Sequence, residues 1–435
     1  MPTTVHPLFK TALPAGWRLL TVDDIKAPEK SSCVAGPFGS NISSKYFVDS
    51  GVPIIRGNNL RDDLTRFVPK GFAFVSEEQA TKYKAQHVQG GDLVFTCWGT
   101  IGQVGLIPKD GPYPEYIISN KQLKLRPNKE VADSVYLFFY FACPQMVEHV
   151  LGKAIGAAVP GINLGILKQL PVVLPPLPFQ HRIASILSTY DELIENSQRR
   201  IKILEEMARS LYREWFVHFR FPGHDKVKMV PSLLGPIPQG WEVKKLAGLT
   251  AFLSRGISPN YDDEGDSIVV NQKCIRDQRL SFEPARRQTK PIPADKCVRF
   301  GDVLINSTGV GTLGRVAQVY EVMEQYTVDS HITIVRRNSD TDVDFFGCAL
   351  LLKQKTFERL GIGATGQTEL SRTAIGEIEI PVPPDSLQKR FGALTHPMRT
   401  AANTLSKQTE NLRRTRDLLL PRLLSGQVDL SKVSA

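Results

Sequence analysis

Two stretches of this chain place apolar residues at alternating steps of four and three. In the first, Ile183, Tyr190, Ser197, Leu204 and Leu211 recur every seven residues, and so do Leu187, Ile194, Ile201, Ala208 and Trp215. That spacing is the a/d seam of a long helix. Glu192, Glu195, Arg199, Lys202 and Glu205 take the other faces, and Pro222-Gly223 closes the element. In the second, Phe391, Met398, Leu405, Leu412 and Leu419 keep the seven-residue step, but Gln408 and Thr415 stand where the other apolar row is expected. Asp385 with Gln388 offers a capping box and Gly426 a C-terminal stop, while Pro397 predicts a kink or a late start. Two such stripes, separated by a domain's length of chain, predict one antiparallel helix pair inside the molecule. A helix of about 36 residues spans roughly 54 Å, so the pair reads as a rigid spacer.

The remaining pattern is shorter in period. Runs such as VPIIRG, DLVFT, IISNKQLKL, DSIVV, DVLIN and SHITIVR are rich in β-branched residues and bounded by Gly, Pro, Asn and Asp. Helical patches are fewer, for example residues 134–151 and 345–360. These segments are also written twice. GDLVFTCWGTIGQVGLI at 91–107 matches GDVLINSTGVGTLGRVAQV at 301–319, and NKQLKLRPN from Asn120 matches SHITIVRRN from Ser330. Ile54-Ile55 before Leu60-Arg61-Asp62 matches Val269-Val270 before Ile275-Arg276-Asp277. LPVVLPPLPFQHR from Leu170 matches IEIPVPPDSLQKR from Ile378. The offset drifts slowly, from about 224 to about 208 residues, which is too long for a solenoid repeat and implies two domain-sized units. Each unit reads as a mixed α/β domain around a twisted or curled sheet.

With 435 residues, 42% of them hydrophobic, the chain can build two or three domains with real cores. The six cysteines (33, 97, 143, 274, 297 and 348) show neither a Cys-x-x-Cys nor a Cys/His ligand spacing, which points to a reducing cytoplasm and no structural zinc. The N-terminus lacks the features of a signal peptide, and no apolar run reaches transmembrane length. A formal charge of +10 fits a nucleic-acid partner.

Catalytic signatures are missing. Gly309-Val310-Gly311-Thr312-Leu313-Gly314 fits Gly-x-Gly-x-x-Gly, but a strand-like RVAQVY follows it where a dinucleotide site needs a helix, so the glycines read as a tight hairpin. There is no Asn/Asp-Pro-Pro-Tyr/Phe of an amino-methyltransferase and no phosphate loop of a motor. Asp92 and Asp302 recur, each in a Gly-Asp turn that favours local backbone bonding over metal-assisted hydrolysis.

The ordered set of motifs resembles the specificity subunits of type I restriction–modification enzymes over nearly the whole chain. It comprises the Pro-x-Gly-Trp entries (Pro14 to Trp17, Pro238 to Trp241) and the Gly-Asp strands with glycine-spaced hairpins. It also includes the Pro-Val-Pro-Pro exit (Pro381 to Pro384), the Gln-x-Arg helix starts (Gln180, Arg182; Gln388, Arg390) and Leu420 to Gly426. The resemblance implies an α+β fold with a pseudo-twofold internal duplication. Two similar target-recognition domains, 1–178 and 222–384, would be separated by a long antiparallel two-helix coiled coil of 179–221 and 385–435. It implies a non-catalytic, cytoplasmic subunit that binds double-stranded DNA with a bipartite target. The chain would hold no cofactor and no metal and would contact no membrane. Its partners would be two modification (methyltransferase) subunits, which bring S-adenosylmethionine, and restriction (motor–nuclease) subunits, which bring ATP and magnesium. The rivals are a nuclease or methyltransferase with an unrecognised site, and a coiled-coil scaffold that never meets DNA.

Base-reading loops should differ between the copies while their flanks match. One candidate pair is 39–46, with Ser40, Asn41, Ser43 and Lys45, against 255–261, with Arg255, Ser258, Asn260 and Tyr261. A second sets Arg56, Asn58 and Asn59 against Asn271, Gln272 and Lys273. The hairpin tips, with Thr100 and Thr308, are third. Polar side chains of these types hydrogen-bond base edges and phosphates.

Overall fold

The computed structural model describes residues 4–156, 160–321, 324–363, 368–428 and 430, the side chain of Ser40 excepted. It divides into two compact units, Met1–Ile194 with Asn411–Ala435, and Glu195–Glu410.

In the first unit a four-stranded antiparallel sheet has the order Cys33–Ala35, Gln122–Leu125, Leu93–Thr96, Val104–Leu106. A second sheet runs Ala73–Val75, Val52–Ile55, Tyr116–Ile118, His87–Val88, and its middle pair is parallel, with Ile54 opposite Ile117. The second unit repeats this plan. Its larger sheet is Thr250–Arg255, Ile332–Arg337, Val303–Asn306, Val316–Gln318, and its smaller one is Arg286–Gln288, Ser267–Val270, Tyr326–Val328, again with a parallel pair, Ile268 opposite Tyr326. Leu93–Thr96 and Val303–Asn306 are central strands buried on both faces. That is why they read as continuous apolar runs without alternation. The two Gly-Trp entries make the same turn, Trp17 N to Pro14 O and Trp241 N to Pro238 O, both 3.1 Å.

The Gly-Asp aspartates bond local backbone: Asp92 Oδ2 accepts from Gln89 N at 3.0 Å and Asp302 Oδ2 from Arg299 N at 2.8 Å. Each also holds an arginine in a two-pronged bond, Arg126, just past the neighbouring strand, at 2.8 and 2.7 Å and Arg336, within its strand, at 2.8 and 2.8 Å. Both carboxylates are buried, so their charge requires this partner.

The long helices are Leu177–Tyr212 and Asp385–Leu424. In the first unit Ile183, Ala184 and Leu187 share a core with Leu420, Leu423 and Leu424, while Asp191 meets Arg416, so the helices run antiparallel there. In the second unit Ile201 and Leu204 pack with Ala402 and Leu405, while Tyr212 and Trp215 meet Phe391, which gives the same antiparallel sense.

Four expectations change. The first helix does not run to residue 221: after Tyr212 the chain widens into a π turn, Arg213–Val217. Trp215 and Phe216 are drawn there into an aromatic core with Trp241, Phe345 and Phe391. Pro397 does not delay the start of the second helix, which begins at Asp385. A proline removes one backbone bond, and the buried Phe391, Thr395, Ala402 and Leu405 hold the turns on either side. The weak row of that helix is not at Gln408 and Thr415, which are exposed, but one residue later, at Thr395, Ala402, Thr409, Arg416 and Leu423, all buried. Lastly, Gln388 forms no capping box. It accepts from Asp342 N at 3.1 Å and donates to Pro383 O at 2.9 Å, as Gln180 does with Asp133 N (2.8 Å) and Pro175 O (2.8 Å). Asp133 and Asp342 in turn cap the following helices. At the other end Gly426 has φ +74°, with Gln427 N on Arg422 O and Gly426 N on Leu423 O, the paired bonds of a left-handed helix stop.

Candidate nucleic-acid interface

In each unit a parallel strand ends in a tight turn: Val52–Ile55 leads to Gly57–Asn59, and Ser267–Val270 to Gln272–Cys274. Beside each turn lies the hairpin tip of the central strand. In the second unit the contact is direct. Gln272 Nε2 donates to the Thr308 carbonyl and, at 3.0 Å, to Thr308 Oγ1, and Asn306 Nδ2 donates to Gln272 O at 3.1 Å. In the first unit the turn carries Gly57, whose Cβ position lies 4.0 Å from Thr100 Oγ1. The structure thus brings together two of the three loops named from sequence. The Gly-x-Gly-x-x-Gly segment is the hairpin between Val303–Asn306 and Val316–Gln318, with Gly309, Gly311 and Gly314 all at positive φ.

The remaining loop pair, 39–46 with 255–261, needs a new register. Gly36 N bonds Gln122 O and Gly256 N bonds Ile332 O, so Gly36 matches Gly256 and the pairing of 39–46 with 255–261 is displaced. A Cβ on Gly36 would come within 1.8 Å of Ser119 O, and one on Gly256 within 1.9 Å of Val328 O. Both are close approaches that demand glycine, and the sequence comparison passed over Gly36.

The side chains sort as follows. Asn41 and Lys45 are exposed on the turns Gly39–Ile42 and Ser44–Tyr46; the Lys45 ammonium lies 4.8 Å from the Tyr46 ring, and the Ser43 side chain caps nothing. Ser40 belongs to the first turn, but its side chain lies outside the described residues. Asn58 is exposed and donates to Gly71 O at 3.1 Å. Arg56, half-buried, donates to the same carbonyl. Thr100 is exposed and donates to Gln103 Oε1 at 3.0 Å. Lys273 is exposed, and no hydrogen bond or ion pair holds its ammonium among the described residues. Ser258, Asn260 and Tyr261 lie against a basic stretch: Asn260 Nδ2 donates to Thr289 Oγ1 at 3.0 Å, Arg286 sits 3.9 Å over the Tyr261 ring, and Lys290 Nζ donates to Ser258 O at 3.2 Å.

Three candidates turn inward. Asn59 is fully buried and spends its amide on Val68 O, Lys70 O and Arg56 N. Arg255 is tied to Ser330 O, Leu370 O and the Glu369 carboxylate. Asn271 caps its turn through Lys273 N and donates to Pro284 O. Asn and Arg look alike in sequence whether they brace a loop or face solvent, and these three brace it.

Sequence comparison missed Arg286, Arg287 and Lys290, exposed on or just beyond the strand Arg286–Gln288; the run RRQTK was the available signal. It also missed His331, whose Nδ1 lies 2.8 Å from Thr308 Oγ1, and Lys121 at the matched position. At the first tip, burial pushes the Cys97 thiol up to about 11, away from the thiolate form. Among the described residues no helix is long and apolar enough to cross a membrane, and no group of three His, Cys, Asp or Glu could hold a metal.

A family model described as the type I restriction modification DNA specificity domain matches the chain twice, over residues 39–206 and 238–412. The type I restriction enzyme MjaIX specificity subunit of Methanocaldococcus jannaschii is 23% identical, over 97% of this chain and 95% of its own. The HindI specificity subunit of Haemophilus influenzae is 23% identical over 73% of this chain and 83% of its own. The crystal structure of a type I restriction–modification S subunit from M. genitalium superposes with a TM-score of 0.61 at 18% identity, covering 94% of this chain and 96% of that one, a likeness of fold.

Proposed function

Since the chain belongs to the type I restriction–modification DNA specificity family, we propose that each of its two units reads one half of a bipartite duplex target. Members of this family are the DNA-recognition part of such systems, without catalysis of their own, and work with DNA and the systems' other subunits. The observation that carries the proposal is the repeated constellation: in both units a strand-end turn and a hairpin tip lie side by side, with different polar side chains on the same backbone. Different readers on one scaffold suit two different half-sites.

Lys45, Asn41, Asn58 and Thr100 would serve the first half-site, and Gln272, Lys273, Thr308, Ser258, Asn260 and Tyr261 the second, with Ser40, Ser43 and Arg56 flanking. Arg286, Arg287 and Lys290 would meet phosphates, which gives salt-sensitive binding. The long helices would fix the number of unread base pairs and dock two modification subunits. The exposed Leu193 and Leu418 of the first unit, and Ile203, Met207 and Leu394 of the second, suit that docking. Restriction subunits would join this core in the cytoplasm. S-adenosylmethionine, ATP and magnesium would belong to those partners.

The test is co-expression with a modification subunit followed by mapping of methylated adenines, for the wild type and for a chain whose residues 1–178 come from another such protein. A two-part motif in which the swap changes one half is the expected result. A change in both halves, or in neither, would refute independent reading.

A further inference from the structure

The Thr308 carbonyl can only accept, so the amide nitrogen of Gln272 must face it. The second hydrogen of that nitrogen points to Thr308 Oγ1, 3.0 Å away. The hydroxyl, already accepting, has its own hydrogen to give, and its neighbour is His331 Nδ1 at 2.8 Å. The arrangement that gives each of these hydrogens an acceptor makes His331 Nδ1 the acceptor and puts the ring proton on Nε2. The ring is exposed, Nε2 has no partner among the described residues, and His331 N is pinned to Asp329 Oδ1 at 2.9 Å. The relay therefore points one fixed donor outward from the tip cluster.

The first unit places Lys121 at this position, one residue ahead of Gln122–Leu125 as His331 is ahead of Ile332–Arg337. It too is exposed, with no partner for its ammonium among the described residues. Its relay positions are Gly57 and Trp98, so the first unit has no counterpart of the bonds that orient His331. Two copies keep an outward donor at one place while changing the side chain and its supports. A structural residue would keep the supports.

We propose that His331 is a specificity-determining residue of the second unit, donating Nε2–H to the N7 of a purine in the major groove, with Gln272 and Thr308 as positioning residues. N7 is an acceptor at every purine. The proposal rests on the reading in which these loops face DNA.

The experiment uses the chain assembled with its modification subunits and the target duplex found by methylation mapping. Each purine of the second half-site is replaced in turn by its 7-deaza analogue, which has carbon and hydrogen in place of N7. One replacement should weaken wild-type binding about tenfold, the scale of a lost base-edge bond. His331→Ala should bind the natural duplex equally weakly and be indifferent to that replacement. Thr308→Val, which removes the relay but keeps the imidazole, should fall between, and neither variant should alter the first half-site. If His331→Ala shows the same 7-deaza penalties as the wild type, the assignment is overturned. If the combined Gln272→Ala, Lys273→Ala and Thr308→Ala chain also keeps full affinity and specificity, the fault lies with placing these loops on DNA.

Discussion

Asp191 lies at the centre of a charge network in the first unit, and removing it should loosen the helix pair there. Its Oδ1 takes Arg416 Nη1 at 2.8 Å, and its Oδ2 takes Arg66 Nη2 at 3.2 Å. Arg416 occupies a seam position with 8% of its side chain exposed, whereas its other partner, Asp417, is 55% exposed. Asp191→Ala therefore leaves a buried guanidinium with one mostly solvated neighbour. Losing one partner of a buried pair costs about 3 kcal/mol or more, because the remaining charge stays desolvated. That cost corresponds to a local opening constant roughly 150-fold larger at 25 °C. Amide hydrogen exchange along residues 187–194 and 416–424 reads it directly. The argument has an internal control: Arg416→Met puts an apolar side chain in the seam and leaves Asp191 to Arg66. In the Asp191→Ala background it should restore most of the lost protection. Exchange accelerated less than about fivefold, or no rescue by Met, would refute the idea that the buried charge sets the cost.

Three further outcomes are expected. Burial holds the His6 imidazole down to about 4 from 6.5, so the unfolded chain takes the proton first and the first unit loses up to about 3 kcal/mol as pH falls from 6.5 to 4. His6→Phe, which can still pack against Phe9 and Tyr140, should lack that component when urea midpoints are compared across the window. Gly256→Ala must displace the backbone at Val328, so second half-site reading should fail while first half-site reading stays, as scored by methylation mapping; unchanged reading would deny that this close approach sets the loop. Seven residues added to both long helices lengthen each by about 10.5 Å, roughly three base pairs, and an unaltered gap in the methylated motif would exclude a ruler role.

The duplication, the paired helices and the buried central strands were legible because each writes a period or a repeated motif into the sequence. The tip cluster was half legible. Loops that differ between copies stand out, but difference alone does not say which side chain faces outward. Asn59 and Asn58 are neighbours in sequence, yet one braces the turn from inside and the other is exposed, a distinction made by carbonyls of Val68, Lys70 and Gly71 that no local pattern announces. The same limit hid the arginines. Asp92 and Asp302 were read correctly as turn residues, but their partners Arg126 and Arg336 lie 34 residues on, joined to them only by sheet pairing. The shifted row of the second helix has a different cause. Heptad spacing is recognised by apolar residues, and three of the five buried positions in that row are Thr395, Thr409 and Arg416. A seam that accepts hydroxyls and a guanidinium gives up hydrophobic stabilisation for groups that demand particular partners, and such groups fix the register of helix against helix. If the helices serve as the spacer proposed above, a defined register would matter more to this chain than a stronger but more permissive apolar seam.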